Sequence, residues 1–157
     1  MKNLAFLSAQ KLNPREAKVL NRRKFLKNLN HIDQIWTYLK NIYGDILAVE
    51  DLRGKNREQY SYSEIDKEIT RASHAFFNLG LRKDDVVTII SENSPRWLIA
   101  DQAIMRLGAI DAVRGANSPA VELNYIIKHS KSIGLIVQSD EVWSKLQNKE
   151  ELLKNLK

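Results

Sequence analysis

Five consecutive residues, Val86-Val87-Thr88-Ile89-Ile90, constrain this chain more than any other feature. All are β-branched, which makes them stiff at χ1 and suited to a pleated surface, and no polar alternation breaks the run. A strand of that kind is covered on both faces, as parallel sheets require. The run ends at Ser91-Glu92-Asn93-Ser94-Pro95, the mostly apolar residues after Arg96 lead to Gly108, and Ile110 to Val113 form a second short run. Strand, turn, helix, strand is the reading, with the helix supplying the crossover.

The flanking segments extend this unit. Upstream, Asn13-Pro14 pairs a cap with a first-turn proline and predicts a helix that fades near Asn28 to Asn30. Asp33 opens another through Ile35, Trp36, Leu39 and Ile42 to Gly44, with Trp36 in the core. Ile46 to Val49 and Gln59 to Tyr62 flank the turn Arg53-Gly54-Lys55-Asn56, which predicts a hairpin with Tyr60 and Tyr62 on one face. Ser63 is the expected cap of a helix whose apolar stripe is Ile65, Ile69, Ala72, Phe76 and Leu79, stopped by Gly80.

Downstream, Ser118-Pro119 starts a helix through Ala120, Leu123, Ile126 and Ile127, ending near His129 and Lys131. Ile133 to Val137 is the third strand. Ser139 and Asp140 begin a last helix through Val142, Trp143 and Leu146, and the Lys and Glu mixture beyond is expected to fray toward Lys157. The fold class is therefore α/β: a partial doubly wound parallel sheet, β-α-β-α-β-α, preceded by helices and a β-hairpin. Half a sheet leaves at least one strand edge uncovered, and the helix at Trp97 to Leu107 is apolar nearly all round.

Composition limits the chemistry. The absence of cysteine rules out disulfides, a thiolate nucleophile and Cys-ligated zinc. No stretch reaches the ~20 apolar residues of a membrane span, and Lys11, Arg15, Lys18 and Arg22 break any signal-peptide core, so the expected location is cytoplasmic. Residues 1–30 hold eight basic side chains against Glu16 alone, a balance of +7 in a chain whose total is +6, so the other residues sum to −1. Residues 1–30 are read as a basic helical arm and 31–157 as the folded unit. The arm allows weak contact with an anionic membrane surface, although Lys18 and Arg22 fall inside the apolar arc of Val19, Phe25, Leu26 and Leu29.

In open α/β sheets ligands sit beyond the carboxyl ends of the strands, so the candidate segments are Ser91 to Asn93, Arg114 to Asn117 and Ser139-Asp140. Phosphate cradles need clustered glycines, and Gly44, Gly54, Gly80, Gly108, Gly115 and Gly134 are scattered. Ser91 lacks a nucleophile elbow, His31, His74 and His129 form no constellation, and Asp84-Asp85 reads as a turn. No catalytic, cofactor-binding or metal residue is assigned.

The segments Tyr60-Ser61-Tyr62-Ser63-Glu64-Ile65, Asn78-Leu79-Gly80-Leu81, Asp85-Val86-Val87, Glu92-Asn93-Ser94-Pro95-Arg96-Trp97 and Leu107-Gly108-Ala109-Ile110 together resemble the N-terminal part of AMP-forming acyl-activating enzymes. Ile35-Trp36, Tyr43-Gly44-Asp45 and Ala48-Val49-Glu50-Asp51 fit the opening of the long-chain fatty acid members. Ala112-Val113-Arg114-Gly115-Ala116-Asn117-Ser118-Pro119 is similar to the long-chain acyl-ACP synthetases of photosynthetic lineages. The likeness covers about residues 32 to 145, and Asp84 stands where the family usually has Gly.

The resemblance implies a ligase that joins a fatty acid to ATP as acyl-adenylate and passes the acyl group to acyl-carrier protein or CoA. It places the phosphate loop, the adenine and magnesium motif, the ribose-binding Asp and the catalytic Lys outside these residues. ATP and Mg are thus expected for the complete enzyme and no cofactor for this chain alone. The expected partner is the missing remainder of the synthetase on another chain, with no nucleic acid. The alternatives are a stand-alone protein-interaction module and a basic-arm binder of membrane or nucleic acid.

Overall fold

A computed structural model describes residues 29–52, 57–154 and 156. The helix expected from Asn13-Pro14 and the turn Arg53-Gly54-Lys55-Asn56 lie outside the described residues. A 3-10 turn, Ile32–Gln34, precedes helix α1 (Ile35–Tyr43). Strands β1 (Leu47–Asp51) and β2 (Glu58–Ser61) pair antiparallel, as a hairpin requires. Then come α2 (Tyr62–Asn78), β3 (Val86–Ile90), α3 (Pro95–Arg106), β4 (Ile110–Arg114), α4 (Ala120–Ser130), β5 (Gly134–Val137), α5 (Asp140–Lys145) and α6 (Lys149–Lys154).

The parallel sheet has the order β4-β3-β5, so the β-branched run occupies its centre. Its side chains divide between two cores. Val87 and Ile89 pack with Leu81, Ile104 and Ala109 on the α2 and α3 side, whereas Ile90 packs with Leu123, Ile127 and Val142 on the α4 and α5 side. Thr88, fully buried among the latter elements, satisfies its hydroxyl by bonding Ser132 Oγ at 2.6 Å. This two-sided burial is what removed polar alternation from the strand. A third cluster, Ile65, Ile69 and Ala103, takes Trp36, Val49 and Tyr60 from α1 and the hairpin.

Asp66 of α2 ties those layers together. It is 4% exposed and accepts from Lys40 Nζ and Thr37 Oγ1 of α1 at 3.0 Å each and from Arg106 Nη2 of α3 at 2.9 Å. Burial pushes its pKa up, but the bonds from Lys40, Arg106 and Thr37 outweigh it and hold the carboxyl below its ordinary range.

Several helix ends correct the sequence reading. Helix α2 is capped by Ser61, not Ser63: Ser61 Oγ accepts from Glu64 N at 3.2 Å while Glu64 Oε2 accepts from Ser61 N at 2.8 Å, a reciprocal capping box. Tyr62 is consequently the first helical residue and stacks on Tyr43, so it does not share a strand face with Tyr60. Asp33 makes no side-chain cap, because it lies inside the 3-10 turn. At α4 the cap position is Pro119 itself, with no side-chain bond, and Ser118 instead closes a turn onto Gly115. The expected fray after Leu146 is replaced in part by α6, because Leu152 is buried against Leu123 and Ile127.

The central crossover is as expected, with one refinement. Ser94 Oγ accepts from Trp97 N at 3.1 Å and Pro95 fills the first helical position. Asp84 has φ 67°, the left-handed region that favours glycine, which explains why the resembling family usually has Gly there. Among the described residues no helix is long and apolar enough to cross a membrane.

Candidate functional site

The three segments singled out from topology meet at the carboxyl ends of the strands. Beyond Ile90, Ser91 N donates to Arg114 O at 3.0 Å, and Gln138 N donates to Ile90 O at 3.0 Å, so the sheet pairing runs on into the loops. Gln138 then folds back across the seam between β3 and β5. Its Oε1 accepts from Glu92 N at 2.8 Å and lies 3.4 Å from Ser91 Oγ. The Ser91 hydroxyl donates to Glu92 O at 2.8 Å, which makes it a loop brace with no base beside it.

Glu92 makes the second link. Its Oε1 accepts from both Asn117 N and Asn117 Nδ2 at 3.3 Å. A Cβ on Gly115 would stand 3.3 Å from the same oxygen, so glycine leaves the room in which the carboxylate approaches the β4–α4 loop. Lys145 of α5 donates to Ala116 O at 3.2 Å and holds the other side of that loop. Arg114 pairs with Glu122 of α4. Ser139 caps α5 by accepting from Val142 N at 3.4 Å and also bonds the Glu141 carboxyl, whose pKa is lowered by that bond. Asp140 stands exposed in the first turn of α5.

Sequence reasoning missed Gln138 and Lys145, whose only signal was their position just past β5 and at the end of the helix it feeds. The three histidines sit on separate elements: His31 precedes the 3-10 turn, exposed His74 is on α2, and His129 stacks on Tyr125 of α4. Asp84-Asp85 is a turn, with Asp85 Oδ2 accepting from Arg82 N at 2.8 Å. Among the described residues no group of three or more His, Cys, Asp or Glu side chains could hold a metal ion.

The rim is thus a brace between loops, in which Glu92 N and Asn117 N are both engaged. The fold is shared with N-terminal domains of adenylating enzymes. The N-terminal domain of FACL13 from Mycobacterium tuberculosis superposes with a TM-score of 0.71 at 18% identity, over 82% of this chain and 32% of that one. Residues 40–157 match the family described as AMP-binding enzyme, and the chain belongs to that family. Two Arabidopsis thaliana proteins are 33% and 31% identical over 115 residues: probable acyl-activating enzyme 16, chloroplastic, and long-chain-fatty-acid--[acyl-carrier-protein] ligase AEE15, chloroplastic. The match takes in 73% of this chain and 16% of each relative, so the chain spans well under a quarter of their length.

Proposed function

We propose that these residues form the N-terminal portion of a long-chain fatty acid ligase, which makes acyl-adenylate from a fatty acid and ATP and then a thioester on acyl-carrier protein or CoA. Residues 31–157 are a partial subdomain of that enzyme, residues 1–30 a basic arm beside it, and the chain alone is inactive. The enzyme works in the cytoplasm, and the arm gives it weak contact with a membrane surface. Similarity to the plant acyl-carrier-protein ligase over 115 residues supports the fatty acid substrate.

The observation that carries the division of labour is the occupied rim. ATP needs free backbone amides or cations at its phosphates. Here Glu92 presents a carboxylate, its amide is bound to Gln138, and the Asn117 amide is bound to Glu92. Those two amides are therefore not free for a phosphate, which supports assigning ATP and magnesium to the remainder of the synthetase as the partner of these residues. Purified chain given a long-chain fatty acid, ATP, magnesium and labelled pyrophosphate should show no exchange of label into ATP above blank. Clear exchange would contradict the assignment.

A further inference from the structure

At the amino-terminal end of β5, α4 and α6 enclose a cavity of about 370 Å3 whose wall includes Lys128, Lys131, Ser132, Asn148 and Glu151. Its backbone is unusual. Three described non-glycine residues have positive φ, and two of them, Lys131 at 54° and Asn148 at 51°, line this one cavity. Asn enters the left-handed region readily, but a lysine there carries strain that glycine, the usual residue just past a helix, avoids. Strain of this kind gathers at ligand sites.

Ser132 belongs to a buried hydroxyl relay. Ser130 Oγ donates its proton to Ile127 O at 3.2 Å, so Ser132 Oγ donates to Ser130 at 2.7 Å and Thr88 Oγ1 donates to Ser132 at 2.6 Å. Ser132, 3% exposed and in the cavity wall, has therefore spent its proton and offers only an acceptor. It suits a hydroxyl, not an anion. The charge of the wall is of the other kind: Lys128 and Lys131 stand against Glu151, whose Oε1 is 3.7 Å from Lys128 Nζ. The groove that continues along α6 from Asn148 adds Lys149 and Lys154 against Glu150. Four ammonium groups against two carboxylates leave an excess that matches a dianion.

We propose that this cavity binds a small phosphorylated polyol, its phosphate held by Lys128 and Lys131 and a hydroxyl donating to Ser132. The volume lies near the lower end of ligand sites, about 300 Å3 and upward, so the ligand is small. Inorganic phosphate brings the charge without a separate hydroxyl, and a carboxylate brings half the charge. Lysine also suits the carbonyl end of α4. The experiment separates that role from a ligand's, because only a ligand makes stability depend on what is added.

Thermal unfolding and amide chemical shifts of the full chain, titrated with glycerol 3-phosphate, inorganic phosphate, glycerol, and sodium chloride at matched ionic strength, test this. Glycerol 3-phosphate should raise the Tm saturably and shift the amides of Lys131, Ser132 and Asn148. Inorganic phosphate should bind about tenfold more weakly, and glycerol and sodium chloride should do neither. Lys131→Gly relieves the left-handed backbone, so it should stay folded while binding glycerol 3-phosphate about tenfold more weakly. Lys128→Gln, at an exposed side chain, should weaken binding in the same sense. No saturable response to glycerol 3-phosphate, a response equalled by inorganic phosphate or sodium chloride, or full affinity in Lys131→Gly would overturn the proposal. If Lys131→Gly fails to fold, full affinity in Lys128→Gln overturns it and weakened affinity supports it.

Discussion

The carboxylate of Glu92 grips Asn117 at two points, accepting from its backbone and side-chain nitrogens at 3.3 Å each, and thereby joins the loop after β3 to the loop after β4. Each bond is long and exposed, but the acceptor is charged, so removing it should cost about 1 kcal/mol. Glu92→Ala should therefore lower stability by that amount and speed hydrogen exchange at the Asn117 amide. Glu92→Gln, which keeps an acceptor oxygen, should fall between Ala and wild type. Unchanged exchange at Asn117 in Glu92→Ala would show that the loop is held by Lys145 alone.

Asp66 is expected to be the most sensitive charged position. Its substitution by Asn leaves Lys40 and Arg106 facing a neutral group inside the α1–α2–α3 junction. Losing one partner of a buried pair costs about 3 kcal/mol. The pH sense follows from its lowered pKa. A carboxyl held below its ordinary range contributes stability at neutral pH that is lost as pH falls through about 4 and below. Chemical denaturation of wild type and Asp66→Asn should therefore converge as the solution is acidified.

Asp111 has the opposite sign. Burial first, and then the neighbouring Asp101 carboxyl of α3, raise its pKa from 3.8 to about 6. The folded state then binds the proton more tightly than the unfolded chain, so the contribution is greatest below about 4, declines as pH rises to about 6 and is flat above. Asp111→Asn should remove that decline, gaining on wild type as pH rises across this window. Thermal unfolding of both chains across this window measures it.

The two serines at the start of α2 separate a real cap from an apparent one. Ser61→Ala should cost about 1 kcal/mol, because it breaks the reciprocal bonds with Glu64. Ser63→Ala, inside the first turn, should change stability by about a few tenths. Equal losses would contradict the capping box.

That pair also shows what could be read in advance. The central crossover was legible because a β-branched run, a Ser-Pro start and a Gly stop agree with one another, and agreement among local signals marks a fold. The cap of α2 was misread because Ser61 and Ser63 both precede the apolar stripe. The spacing of Ser61 to Glu64 was the discriminating signal. Ser91 to Asn93 and Arg114 to Asn117 were legible as a rim from topology alone. Gln138 and Lys145 were not, since their partners lie 46 and 29 residues away in sequence and nothing local records the contact. The Asp101–Asp111 pair was hidden for the same reason: it exists only where α3 folds back along β4.

Under the proposed function, residues 31–157 serve as the N-terminal part of a fatty acid ligase whose reacting groups lie elsewhere. Exchange of labelled pyrophosphate into ATP, dependent on a long-chain fatty acid, tests it most directly in a chimera of AEE15 in which the matched segment is replaced by this chain. Exchange by the chimera and none by the chain alone is the expected result. Exchange by the chain alone, or a folded chimera without exchange, would contradict it.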